Sequence, residues 1–263
     1  MARTYAYDQL RVSVFDTDQE IARAAASELS AALGRAIAER GAAAVILATG
    51  NSQRAFYQQL RAQRDIAWDR VTIFHMDEYL GLPEQHPASF RRVLREGLVD
   101  AVRPHAFYGI AGDAEDVQAE LERYAALLAA HPPAACVMGI GENGHLAFND
   151  PPADFTTTRV IQVVTLVDSC RRQQVGEGHF PHLADVPRQA ISLTVPALLS
   201  PPHVLVIAPE TRKADAVRAA LEGPITPDCP ASILRTVPSA RLYLDRASAA
   251  LLEPREPVPD SAS

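Results

Sequence analysis

Seven short apolar runs, at residues 12–15, 43–48, 71–75, 134–141, 159–164, 190–195 and 203–208, alternate with alanine-rich stretches at 19–39, 53–64, 114–130 and 210–221. The runs have the length of buried strands, and the stretches place apolar residues three and four positions apart, the spacing of one helix face. Strands separated by helices line up in parallel, with the crossing helices packed on the sheet. The alternation therefore predicts an α/β fold, a mostly parallel open sheet flanked by helices on both faces.

Residues 1–253 read as a single domain, because no repeat, low-complexity block or long linker divides them. With 48% hydrophobic residues the chain can fill a sizeable core. The segment 254–263, PREPVPDSAS, has little to bury and is expected to be disordered. Cys136, Cys170 and Cys229 are odd in number, far apart and form no CxxC pair, so neither a disulfide framework nor a zinc site is indicated. A net charge of -7 argues against nucleic acid or an anionic membrane surface as the partner. The N-terminus lacks a basic region followed by an apolar core, and no apolar run approaches membrane-spanning length, so a cytoplasmic protein is expected.

In open parallel sheets ligands collect at the carboxyl ends of the strands, which directs attention to the residues after each run. After residue 48 come Thr49, Gly50, Asn51 and Ser52, immediately before a helix. Gly50 permits close backbone approach, the helix start offers unpaired N–H groups, and two hydroxyls add donors, which suits an anion. The alternative is that Asn51 or Ser52 merely caps the helix. Without a GK[ST] triplet this is not a nucleoside-triphosphate loop.

After the run ending at His75 come Met76, Asp77, Glu78 and Tyr79. These acids are candidate catalysts; a metal held by His75, Asp77 and Glu78 or His86 is the alternative reading, disfavoured because no third ligand has a defined spacing. After the run 134–141 comes GIGENGHLAFNDPP, whose glycines, with Pro151 and Pro152, place His145 and Asp150 on a loop. Residues 139–144 match G-x-G-x-x-G literally, but the following sequence is a poor helix, so no dinucleotide is expected. Lys213, after the last run, could neutralise a phosphate, whereas Arg171 and Arg172 in DSCRRQQ read first as surface charge.

HMDEYLGL at 75–82 and GIGENGHLAFNDPP at 139–152 together resemble the glucosamine-6-phosphate deaminase family, whose fold group also holds 6-phosphogluconolactonases. ATGNSQRAFYQQL, APETRKADAVRAALEG and CPASILR are similar to its phosphate turn, lysine segment and closing stretch, so the likeness runs along most of the chain. The resemblance implies a Rossmann-like fold and metal-independent, cofactor-free conversion of glucosamine 6-phosphate to fructose 6-phosphate and ammonium. It implies Asp77 as the isomerisation base, Asn143, His145 and Asp150 as the ring-opening group, and Thr49, Gly50, Asn51, Ser52 and Lys213 as phosphate ligands. A small-molecule sugar phosphate is then the partner, and a homo-oligomer stays open.

Three departures stand out. Asn143 and Asp150 occupy positions where well-known members often carry Asp and Glu, and Gly176 falls where the family has a phosphate-binding arginine, leaving Arg171 or Arg172 as substitutes. The competing expectations are a lactonase, a deaminase of another amino-sugar phosphate, or a non-catalytic sugar-phosphate sensor.

Overall fold

The structure is a computed structural model that describes residues 2–259. The chain runs β1 (Arg3–Tyr7), β2 (Leu10–Phe15), α1 (Asp18–Arg40), β3 (Ala43–Leu47), α2 (Arg54–Ala62), β4 (Val71–His75) and β5 (Asp77–Tyr79). A helical stretch follows, α3 (Phe90–Leu94), a π-helical turn Arg95–Val99 and α4 (Asp100–Val102), and then β6 (Ala106–Tyr108), α5 (Val117–Ala130) and β7 (Ala135–Met138). Beyond an irregular loop come β8 (Ile161–Thr165), α6 (Asp168–Gly176), β9 (Gln189–Leu193), α7 (Val195–Leu199), β10 (His203–Ile207), α8 (Ala214–Glu222) and β11 (Ala240–Asp245).

Eight strands form one sheet in the order β1-β2-β11-β10-β7-β3-β4-β6, parallel throughout except for the β1–β2 hairpin. Period-two alternation decides which core each residue joins. Val45, Leu47, Val137 and Ile207 face α1 and α2, while Ala44, Ile46, Met138 and Val206 join Tyr124 of α5 and Val217 of α8 on the other side. Both faces are thus covered, as the alternating sequence predicts. Helix α1 starts with a capping box between Thr17 and Glu20 and stops at Gly41, whose φ of 80° suits glycine.

One expectation needs correction. The runs at 159–164 and 190–195 do not enter the parallel sheet. As β8 and β9 they pair antiparallel with each other and with β5, forming a separate three-stranded sheet over a small aromatic core of Tyr79, Phe90, Phe148 and Phe180. Of the tail expected to be disordered, Val258 N–H donates to Thr4 O (2.8 Å) and Arg255 lies over the Tyr7 ring (4.0 Å); residues 260–263 lie outside the described residues.

From β3 the chain builds the sheet outward through β4 to β6, whereas from β7 it builds through β10 to β11. The strand order therefore reverses between β3 and β7, and a crevice opens at their carboxyl ends. The loops beginning at Ala48 and Gly139 meet there: a Cβ at Gly139 would lie 3.5 Å from Ser52 Oγ.

Candidate active site

One end of this crevice is built mainly from backbone. Thr49, Gly50, Asn51 and Ser52 line it, with Gly50 at φ 125°, a conformation that favours glycine, turning the chain into α2. Neither this turn nor α2 carries a side-chain cap, so Asn51 and Ser52 are not simple capping residues; Asn51 Nδ2 instead donates to Glu177 O (3.2 Å). The Tyr57 hydroxyl donates to Ala48 O and ties α2 to the loop. Thr49 Oγ1 is buried with no hydrogen-bond partner among the described residues. Lys213, 4% exposed, reaches the same end from the turn after β10. Burial pushes its ammonium pKa down, and the Glu177 carboxylate opposes that shift.

At the other end β5 sets two adjacent acids on different tasks. Asp77 lines the crevice. Glu78 accepts from Tyr79 N–H (3.0 Å), Phe90 N–H (3.1 Å), Arg91 N–H (2.9 Å) and the Ser89 hydroxyl (2.8 Å), and so anchors the start of α3. Its guanidinium partner Arg91 (3.4 Å) also bonds Asp113 (2.8 Å). Burial first, and the Glu78 charge second, hold the Asp77 carboxyl well above the usual carboxylate range.

The loop after β7 supplies the histidine. Gly141 is required there by close approach: a Cβ would lie 2.2 Å from His145 Cε1, so the imidazole rests on bare backbone. Asn143 Oδ1 accepts from His145 N–H (3.1 Å) and sits 2.7 Å from His145 Nδ1, while Asn143 Nδ2 donates to Asp150 Oδ1 (3.0 Å). The amide can satisfy all three only if Nδ1 carries the ring proton, which leaves Nε2 free. Asp150 Oδ1 lies 3.3 Å from Nδ1, and Asp150 Oδ2 accepts from Val167 N–H (3.2 Å). Burial works against the Asp150 charge, but bonding to His145, the His145 charge and the Asn143 bond prevail and lower its pKa. No helix follows Gly144 before residue 168, so the glycine pattern has none of the geometry a dinucleotide needs.

Asp77, His145, Thr49–Ser52 and Lys213 are thus brought to one cavity, with Asn143 and Asp150 behind the imidazole. Neither arginine candidate joins them. The Arg171 guanidinium is spent on Asp168 (2.9 Å) and the carbonyls of Leu183 (2.6 Å) and Val186 (3.1 Å), and Arg172 is exposed and outside the cavity lining. The His75–Asp77–Glu78–His86 metal reading also fails. His75 Nε2 accepts from Ile110 N–H (2.7 Å), Glu78 is committed to α3, and His86 Nδ1 accepts from Ala88 N–H (3.1 Å). Burial pushes the His75 pKa down to about 3, so that ring is neutral.

Sequence reading missed Gln173, Gln174, Glu177 and His179, which α6 and the turn after it bring to the Thr49–Ser52 end of the cavity. The available signal was the i,i+4 pair Gln173–Glu177, now a 2.8 Å hydrogen bond. Glu177 also accepts from Arg212 Nη1 (2.7 Å), and its Oε2 lies 3.4 Å from His179 Nε2. Burial opposes the Glu177 charge, yet His179, Gln173, Arg212 and Lys213 together hold its pKa at about 2.

Comparison with known proteins places this architecture. A family profile for glucosamine-6-phosphate isomerases/6-phosphogluconolactonase matches residues 16–243. A glucosamine-6-phosphate deaminase from Exiguobacterium sibiricum is 37% identical over 206 residues, 78% of this chain and 80% of that protein. The solved structure of a monomeric glucosamine-6-phosphate deaminase superposes with a TM-score of 0.83 at 29% identity, covering 92% of this chain and 99% of that one. A 6-phosphogluconolactonase from Shewanella baltica superposes with a TM-score of 0.72 at 21% identity, over 89% of this chain and 96% of that one, a likeness of fold. With the profile running from the start of α1 into β11 and so spanning every loop of the crevice, the chain belongs to the glucosamine-6-phosphate isomerase/6-phosphogluconolactonase family.

Proposed function

We propose that the protein is a deaminase that converts glucosamine 6-phosphate and water to fructose 6-phosphate and ammonium. The carrying observation is that a buried carboxyl, Asp77, and an oriented imidazole, His145, share one cavity with an anion-suited loop and a buried lysine. The relatives named as glucosamine-6-phosphate deaminases at 33–37% identity support the same reading.

Backbone N–H groups of the Thr49–Ser52 turn, their hydroxyls and Lys213 bind the 6-phosphate and fix the sugar's reach toward Asp77. His145 Nε2 takes the proton of the C1 hydroxyl and returns it to the ring oxygen, opening the ring to an aldehyde. Asn143 holds the tautomer, and ionised Asp150 steadies the imidazolium that forms in between. Asp77 then removes the C2 proton, giving an enolamine, and delivers a proton to C1, giving the 2-imine. Water adds to C2, ammonia leaves, and the ketone remains. Each step is a proton transfer, the addition of water or the loss of ammonia, so these residues need neither metal nor cofactor. A carboxyl whose pKa burial raises is a stronger base for the C2 proton than an ordinary one.

Three apolar clusters around interlocking sheets support one catalytic domain over 1–253. Among the described residues no helix is long and apolar enough to cross a membrane. A charged sugar phosphate stays in the compartment where it is made, which supports a cytoplasmic site of action. The test is to incubate the purified protein with glucosamine 6-phosphate, galactosamine 6-phosphate and 6-phosphogluconolactone in turn. Equal release of fructose 6-phosphate and ammonium from the first is expected. Lactone hydrolysis without ammonium release from either amino sugar, or ligand binding without turnover, would replace this reading with the lactonase or the sensor.

A further inference from the structure

Behind the imidazole, on the side away from the sugar, three side chains of zinc-ligand type converge. The donor atoms of His145, Asp150 and Cys170 all lie within 4.8 Å of one another, and among the described residues no other group of three does so. We propose that these three residues form an inhibitory binding site for a thiophilic divalent cation, Zn²⁺.

One pair of donors already has the spacing the ion requires. Zinc bound at about 2.0–2.1 Å to nitrogen and oxygen spans a tetrahedral edge of roughly 3.3 Å. His145 Nδ1 and Asp150 Oδ1 are 3.3 Å apart. Two elements hold the donors in place. Gly141 N–H donates to His145 O (2.9 Å) at the start of the loop, and Asn149 Nδ2 donates to Leu193 O (2.8 Å) near its end. Cys170 comes from α6, whose entry is tied to the same carboxylate through Val167 N–H and Asp150 Oδ2 (3.2 Å). Sulfur and imidazole beside one carboxylate oxygen favour Zn²⁺ over Mg²⁺ or Ca²⁺, which prefer oxygen-only sets.

Binding has a definite proton balance. Asp150 is already ionised. His145 moves its ring proton from Nδ1 to Nε2 and gives up the Asn143 contact, with no net loss. Cys170 is a neutral thiol, held so by burial and by the Asp150 charge, and it releases one proton to solvent as the sulfur–zinc bond forms. The bound ion takes Nδ1 and the Asp150 carboxylate away from ring opening, so it inhibits, and a chelator restores activity.

Zinc titration of metal-stripped protein by calorimetry needs no sugar phosphate, so its outcome is independent of the deaminase reading. One zinc per chain is expected, with affinity lower by roughly tenfold or more in Cys170→Ala and Cys170→Ser. Cobalt supplies a direct sulfur readout: a thiolate-to-metal absorption band present in the wild type and in Cys229→Ala, and lost in both Cys170 variants. Both Cys170 variants should keep wild-type turnover of the deaminase substrate and resist micromolar zinc. Cys170→Ser, nearly isosteric, covers the case in which alanine misfolds. No zinc uptake, no cobalt–sulfur band in the wild type, or zinc inhibition undiminished in either Cys170 variant would overturn the site.

Discussion

The two ends of the cavity are constructed differently. The Thr49–Ser52 end is mostly local: five consecutive residues after a buried strand turn the backbone, Lys213 arrives from the equivalent turn of β10, and α6 with the turn after it adds Gln173, Gln174, Glu177 and His179. The chemical end is assembled from distant segments. Asp77 comes from the small antiparallel sheet, His145 from the loop after β7, and Glu78 and Asn143 set the environments of those two from behind. Local backbone can present donors to an anion without help, whereas an effective base needs burial that only tertiary packing supplies.

If this division is right, substitutions at the chemical end act on kcat and those at the phosphate end on KM. Asp77→Asn is the largest: kcat should fall by about 10²–10⁴-fold with KM changed only a few-fold, read in steady-state assays of ammonium release. His145→Gln should cost about 10²-fold in kcat and leave C2 exchange of any open-chain substrate intact. Lys213→Ala should raise KM by about 10–100-fold, the loss expected for charge-assisted bonds of about 1.5–3 kcal/mol, with kcat little altered. A kcat collapse in Lys213→Ala would erase the distinction between the two ends.

The smallest effect is a matter of pH. Asp77 works ionised, so kcat/KM should fall as pH drops through its raised pKa, placing the acid limb above the ordinary carboxylate range. Glu78→Gln removes the second cause of that elevation, so the limb should move to lower pH, by less than about one unit. The same variant leaves part of the α3 anchor unpaired and should lower stability by about 1–3 kcal/mol, measured by thermal or urea unfolding. An unmoved limb would mean that burial alone sets Asp77.

Much of this was legible in the sequence, and the failures have physical reasons. The strands β3, β4, β7 and β10 are mostly apolar runs, with Thr72 and His75 in β4 and His203 at the start of β10 as the polar exceptions, because both faces of the sheet are buried. β8 and β9 look the same as text, and nothing local says that they pair antiparallel with β5 in a second sheet. β11 escaped because Arg241 and Asp245 interrupt its apolar run while its hydrogen bonding to β2 and β10 is long-range. Glycines and strand ends mark Thr49–Ser52, His145 and Asp150 in the sequence, and folding sets the first five in one cavity with Asp150 behind the imidazole. Arg171 misled because its charge is visible in sequence while the carbonyls it binds, 12 and 15 residues away, are not. His179 was passed over for the converse reason: only folding brings it beside Glu177.

The central claim is that Asp77, buried at the chemical end, moves the C2 proton of the substrate. Glucosamine 6-phosphate deuterated at C2 tests it most directly, with the product examined by NMR and the rate of C–D cleavage followed in the wild type and in Asp77→Asn. The account predicts fructose 6-phosphate carrying part of the deuterium at C1 from the wild type, and cleavage slowed by about 10²-fold or more in the variant. Cleavage at an undiminished rate in a folded Asp77→Asn would contradict it.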